Sequence, residues 1–325
     1  MNRYTFVSVL IGALRASAAR RVSIGEKQSM KAAKQIQWPL FSSTAARWST
    51  ACTRLVALGE SPGFGNIARA PRTDAAAKSM RIPRVYQHPL AAEGAELRLG
   101  EVAARHVQAV LRLKPGAAIV IFDGLGHARH AQLLRATRNE VTVLLGNTVI
   151  GDVESVLQVT VALGVSRGER MDLAVQKSVE LGVARIVPLL TEHTVVKLNG
   201  DRADRRLAHW RGVIIGACEQ CGRDLLPQID PVYSLADWLQ QLSDDDQRLM
   251  PDPRAECGLR QIERMHARPI TLLIGPEGGI SAAERTLAQQ HGFTGVRLGP
   301  RVLRTETAVI AAMSAVMTLW GDLGD

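Results

Sequence analysis

The chain is 325 residues long, 46% hydrophobic and 22% charged, with 40 lysines and arginines against 31 acidic residues and a formal net charge of +9. Its four cysteines, Cys52, Cys218, Cys221 and Cys257, are too few and too scattered for a disulfide framework or a paired zinc site. No apolar run reaches the roughly 18–20 residues that would cross a bilayer as a helix.

The basic excess is unevenly placed. Residues 1–79 hold 12 Lys and Arg against 3 Asp and Glu, whereas residues 80–325 hold 28 of each. The first 79 residues read as a largely disordered extension. Within them, residues 4–14 have the outline of a secretory signal, and the Arg-, Ser- and Ala-rich, acid-poor composition has that of a transit peptide. A reading frame that starts upstream of Met80 is the third reading and the expectation adopted.

Residues 80–152 carry short apolar runs separated by turn signals. Lys114-Pro115-Gly116 and Asp123-Gly124 bound the run from Ala117 to Phe122, Arg138-Asn139 separates two further runs, and Glu101 to Leu111 is helix-like. A small β-barrel with one helix is expected.

From about residue 155 the pattern changes to strand and helix in alternation. Leu157 to Leu163 reads as a strand, Glu169 to Leu181 as a helix with Met171, Ala174, Val175, Ser178 and Val179 facing inward, and Arg185 to Leu190 as a second strand. This is a βαβ unit, and a parallel sheet over residues 153–325 follows. Leu207, Trp210, Ile214, Ala217 and Cys221 make a helical stripe, which reads Cys218 and Cys221 as reduced thiols at a helix end. Asp244-Asp245-Asp246 and Pro251 to Pro253 are expected to extend a surface loop.

Two segments near the carboxyl end are the most informative. Leu272-Leu273-Ile274 runs into Gly275-Pro276-Glu277-Gly278-Gly279, and Leu298 runs into Gly299-Pro300-Arg301-Val302-Leu303-Arg304. Each is a strand entering a Gly/Pro turn that opens a helix. Ser281 and Glu284 form a capping box for a helix from Ala282 to Gln290, and Gly292 sits where a left-handed residue closes it. A strand from Gly295 to Leu298 follows, and Thr305 can cap a final helix to Trp320 with Val309, Ile310, Met313, Val316 and Met317 on one face. Two such turns side by side suggest a ligand pocket lined by main chain. The glycines alone do not name the ligand: neither a P-loop Lys-Ser/Thr pair nor a G-x-G-x-x-G fingerprint is present.

Four blocks carry a resemblance: Arg81-Ile82-Pro83-Arg84-Val85-Tyr86; Ser166-Arg167-Gly168-Glu169 with Gln176 to Gly182; Ala217-Cys218-Glu219-Gln220-Cys221-Gly222-Arg223; and the two closing turns. In order and spacing the chain from Met80 onward resembles the 16S ribosomal RNA uracil-N3 methyltransferase family, within the SPOUT trefoil-knot superfamily of S-adenosylmethionine-dependent enzymes. The resemblance implies an α/β fold, with a PUA-like RNA-binding β-barrel before a C-terminal knotted methyltransferase domain. It also implies a homodimer, 16S ribosomal RNA or the small ribosomal subunit as partner, and a cytoplasmic enzyme. Met80 lies where proteins of the family are expected to begin.

On that resemblance, S-adenosylmethionine would be held mainly by backbone groups of Ile274, Gly275, Glu277, Gly278, Gly279, Leu298, Gly299, Arg301, Leu303 and Thr305. A side chain at Gly278 or Gly279 is expected to intrude on it. Methylation at uracil N3 requires loss of the N3 proton, and a guanidinium near O2 and O4 stabilises the resulting anion. Arg304 and Arg301 are assigned that role, Arg167 and Arg223 being second candidates. The bland alternative for Arg304 is an ion pair with Glu277 or Glu306. Glu306 is the nearest candidate base, with a first-turn carboxylate favouring the helix dipole, or proton loss to solvent, as alternatives.

The net-neutral body offers no global field to a polyanion, so RNA would be held by local patches. Arg81, Arg84, Arg112, Arg167, Arg170, Lys177 and Arg223 are the main candidates; Arg105, Lys114, Arg202, Arg205, Arg206, His193 and Lys197 could join them. A non-catalytic RNA-binding protein, or a SPOUT enzyme acting on another base or on ribose, remains an alternative.

Overall fold

The computed structural model describes residues 82–324 apart from 139, 152, 197, 266 and 267. The extension before Met80, Arg81 and Lys197 therefore lie outside the described residues. In the first region β1 (Arg84–Tyr86), β2 (Glu96–Arg98), β3 (Ala118–Phe122), β4 (Ala128–Thr137) and β5 (Glu140–Thr148) form one sheet in the order β1-β3-β4-β5-β2. β1 runs parallel to β3 and the other pairings are antiparallel. β1 and β2 end this path, so pairing between them does not close the expected barrel. The helix expected at Glu101 to Leu111 is α1 (Glu101–Arg105) followed by a π-helical turn, His106–Val110.

β3 explains why this region does not stand alone. Successive side chains of a strand point to opposite faces, and here both faces are apolar. Ile119 and Ile121 enter a core with Val85, Leu133 and Val143. Val120 and Phe122 enter a second core with Val161, Trp210 and Ile214 of the following region. A strand buried on both sides reads as an unbroken apolar run, and Ala-Ile-Val-Ile-Phe is one.

The remainder alternates as expected: β6 (Val159–Gly164), α2 (Glu169–Glu180), β7 (Arg185–Leu190), α3 (Asp201–Cys221), β8 (Gln228–Ile229), β9 (Tyr233–Ser234), α4 (Leu235–Leu239), β10 (Gln247–Pro251), β11 (Ile270–Ile274), α5 (Ala282–Gln290), β12 (Thr294–Val296) and α6 (Thr305–Trp320). The sheet order is β12-β10-β11-β6-β7-β8, with β9 also on β7, and every pairing is parallel. Val161, Leu163, Leu272 and Ile274 face a core with Met171, Trp210 and Met313. Ala162, Val187, Leu189 and Leu273 face the other, with Trp238, Ala288 and Phe293. The result is a sheet between helical layers. Among the described residues no helix is long and apolar enough to cross a membrane.

One expectation fails here. The stretch up to Pro251 is no surface excursion: β10 lies inside the sheet between β11 and β12, and Asp246 accepts a 2.6 Å hydrogen bond from the Thr271 hydroxyl. β10 is short and contains Gln247, Arg248 and Pro251, which masks its strand character. Pro251 is tolerated because it ends the strand.

Candidate active site at the carboxyl edge of the parallel sheet

β10, β11 and β12 end side by side and release the two turns singled out in the sequence. Together they enclose a crevice of about 490 Å³ lined by Met250–Arg254, Ile274–Ile280, Arg285, Leu298, Gly299, Arg301–Leu303, Thr305 and Ala308. Open parallel sheets place ligands outside the carboxyl ends of their strands, and the volume is within the range of small-molecule sites. The walls are backbone of the turns and the apolar side chains Met250, Pro251, Ile274, Leu298, Leu303 and Ala308.

Side chains from three directions hold the first turn. The Gly279 N–H donates to the Pro276 carbonyl at 2.8 Å, and Gly279 has a φ of 72°, a conformation that costs other residues about 1 kcal/mol or more. His193, after β7, donates through Nδ1 to the Gly278 carbonyl at 2.8 Å. Glu277 accepts from the Arg167 N–H at 3.1 Å and from Arg170 at 3.2 Å. Partial burial opposes ionisation of Glu277, but the hydrogen bonds from its own N–H, Arg167, Arg170 and Ser166 prevail and hold its carboxyl below the usual range. The capping box forms as expected: Ser281 accepts from Glu284 N–H, and Glu284 accepts from Ser281 N–H. The second Glu284 oxygen accepts from the Glu192 N–H at 2.8 Å and so ties the loop after β7 to α5.

Two of the glycines are required by the protein itself. A Cβ on Gly278 would lie 2.6 Å from the His193 Cβ, and one on Gly275 would lie 2.9 Å from the Gly279 carbonyl carbon, so both are required by packing of protein on protein. Among the described residues a Cβ on Gly279 or Gly299 would meet nothing within 4 Å, and the positive φ of Gly279 by itself favours glycine.

All ten residues expected to form the backbone pocket line the crevice, and the expected electrostatic pair divides. Arg301 lines it. Arg304 does not: it is the exposed N-cap residue of α6, with Thr305 the first helical residue instead of the cap. The expected alternative, an ion pair from Arg304 to Glu277 or Glu306, does not form; Glu277 is taken by Arg170. Among the described residues Glu306 Oε2 is buried without a hydrogen-bond partner, one residue from Thr305 in the crevice wall.

Two residues expected to meet RNA are instead internal. Arg84 pairs with Asp224 and lies 5.4 Å from the Phe122 ring centroid. Arg223 is 6% exposed, with Nε on Glu154 at 2.8 Å and Nη1 on both the Val179 and Val183 carbonyls. A guanidinium buried in this way has little left for a phosphate, and the same burial argues against Arg223 as a second candidate for the uracil anion. Lys177 pairs with Glu180 at 2.8 Å. Arg112 and Arg167 are exposed, and Arg202, Arg205, Arg206 and His209 share a recess on α3 with Val196 and Leu198. Cys218 and Cys221 are free thiols; burial pushes Cys218 up to about 12 and also raises Cys221, so both favour the thiol over the reactive thiolate.

The sequence reading missed Asp252, Arg254 and Arg285. Asp252 is buried and accepts from Arg285 at 2.7 Å. The missed signal was Leu249-Met250-Pro251, an apolar run that ends in an Asp-Pro-Arg turn.

Family comparison agrees with this geometry. A model described as RNA methyltransferase domain matches residues 153–317, and one described as RNA methyltransferase PUA domain matches residues 102–146. The chain is 32% identical over 245 residues to the ribosomal RNA small subunit methyltransferase E of Buchnera aphidicola subsp. Schizaphis graminum, covering 75% of this chain and 98% of that one. A methyltransferase E from Neisseria gonorrhoeae, solved bound to S-adenosyl methionine, is 38% identical with a TM-score of 0.71, over 74% of this chain and 99% of that one. A putative methyltransferase from Legionella pneumophila, solved with the same cofactor, is 37% identical with a TM-score of 0.71, over 75% and 100% of the two chains.

Proposed function

The chain belongs to the RNA methyltransferase family of the ribosomal RNA small subunit methyltransferase E proteins, and from that premise we propose that it methylates N3 of a uridine in 16S ribosomal RNA, in the cytoplasm and as a homodimer. Residues 80–152 are assigned to RNA contact and residues 153–325 to methyl transfer, with the carboxyl segment following the knotted path of the SPOUT superfamily.

The observation that carries the reading is the crevice itself. Main chain and apolar side chains line it, two arginines that no ion pair engages among the described residues, Arg254 and Arg301, stand in its wall, and relatives of the same fold hold the methyl donor. Its volume and the open space beside Gly279 and Gly299 fit an adenosyl ligand. S-adenosylmethionine, when bound, supplies an electrophilic methyl group on a sulfonium. Ile274, Gly275, Leu298 and Leu303 would hold it. The protein has to position the target base and remove a proton. Arg301 would stabilise the negative charge on O2 and O4 as N3 loses its proton, with Arg304, three residues on at the start of α6, in a supporting role. Glu306 would accept that proton.

Transfer of tritium from labelled S-adenosylmethionine to unmethylated small ribosomal subunits, followed by nucleoside analysis, tests the proposal. Label in 3-methyluridine is the expected result. Label in another nucleoside would assign a different base or a ribose, and absence of transfer with intact RNA binding would leave a non-catalytic RNA-binding protein.

A further inference from the structure

Five charged side chains line the crevice: Asp252, Arg254, Glu277, Arg285 and Arg301. Asp252 is neutralised by Arg285 at 2.7 Å and Glu277 by Arg170 at 3.2 Å. Among the described residues no ion pair or side-chain hydrogen bond engages Arg254 or Arg301, so the uncompensated charge of the crevice is two guanidinium groups. The proposed donor is itself net cationic, with a sulfonium and an ammonium against one carboxylate. Two free cations beside a third call for an anion from elsewhere.

Arg254 stands on a prepared base. One oxygen of Asp252 accepts the Arg254 N–H at 2.9 Å, and the other binds Arg285. The Asp252 N–H is fixed to the Val296 carbonyl at 2.9 Å, and the Ala255 N–H closes on the Asp252 carbonyl at 3.1 Å. A buried carboxylate thus sets the turn from which an exposed arginine projects.

Building on the proposed methylation of RNA, we infer that Arg254 is a substrate-binding residue for a phosphate of the RNA strand next to the target nucleotide, and that Asp252 is its positioning residue. Arg301 is left to the base. A guanidinium suits this role because its planar fork can meet two phosphate oxygens at once.

The test uses the full-length protein with small ribosomal subunits and S-adenosylhomocysteine. Wild-type binding of both and methyl transfer are measured first; their failure overturns the proposed function itself and is read independently of any variant. With those in place, Arg254→Ala is expected to weaken RNA binding about tenfold and to lower the salt dependence of binding by about one unit of slope. Its affinity for S-adenosylhomocysteine should stay within about twofold. Arg254→Lys should keep the wild-type slope, because the charge remains, and recover part of the affinity. Loss of S-adenosylhomocysteine affinity with RNA binding intact would overturn the inference by giving Arg254 to the donor carboxylate. Unchanged binding of both would make it an ordinary surface arginine.

Discussion

At the scale of single residues, Arg301 and Arg304 separate two roles that the sequence left together. Both are exposed, yet only Arg301 lines the crevice. Deleting one donor that stabilises an anion costs on the order of 10²–10³-fold in rate. Arg301→Ala is therefore expected to lose that much in single-turnover methylation at saturating substrates, and Arg304→Ala considerably less. Equal losses would place Arg304 at the base as well. A Cβ at Gly279 meets no atom within 4 Å among the described residues, but Gly279→Val forces a β-branched residue to a φ of 72°, at a cost of about 1–3 kcal/mol. The turn is expected to relax, lowering S-adenosylhomocysteine affinity in calorimetry while the thermal transition stays cooperative.

At the scale of elements, the first turn of the site is held by charge and capping as much as by its own backbone. Ser281→Ala removes one cap bond of α5 and should cost about 1 kcal/mol in urea unfolding. Glu284→Ala removes the other half of the box and the tie to Glu192, so it is expected to cost more and to weaken donor binding; equal effects would deny the tie to β7 any importance. The depressed Glu277 carboxyl adds a pH dependence of known sign. Its hydrogen bonds contribute stability that is fully present above the unfolded carboxyl pKa of about 4.3 and lost as pH falls through the lower folded value. Donor binding should therefore weaken on acidification below that range, and Glu277→Gln should flatten the profile. An unaltered profile in that variant would assign the acid sensitivity elsewhere.

At the scale of the whole described molecule, the two sheets are joined by a polar seam beside a shared core. Arg84 pairs with Asp224, Glu154 accepts from Arg223 and from the Asp224 and Leu225 N–H groups, and the Tyr86 N–H donates to Glu219. Burial raises the carboxyls of Asp224 and Glu219 in spite of these partners, so their charges are held there at a cost. Removing one partner of such a pair typically costs about 3–5 kcal/mol, whereas replacing both with apolar groups can be nearly neutral. Arg84→Ala should lower the thermal midpoint strongly, and Arg84→Met with Asp224→Leu should recover most of the loss. If the double variant is no better than the single, the arginine acts through its packing on Phe122.

The sequence by itself determined the local pieces: the bounds of β7 and α5, the capping box at Ser281 and Glu284, the inner face of α2, and the pocket loops at Gly275 and Gly299. These depend on interactions within a few residues or on a strong apolar period, both written in the order of the chain. Only the tertiary structure decided which charges are free. Arg84 and Arg223 look like Arg167 in the sequence, yet they are held by Asp224, 140 residues away, and Glu154, 69 residues away, while Asp252 and Arg254 reach the crevice because β10 is inserted between β11 and β12. A side chain's charge is fixed by its type, but whether that charge faces a buried partner or a ligand depends on which distant segment packs against it.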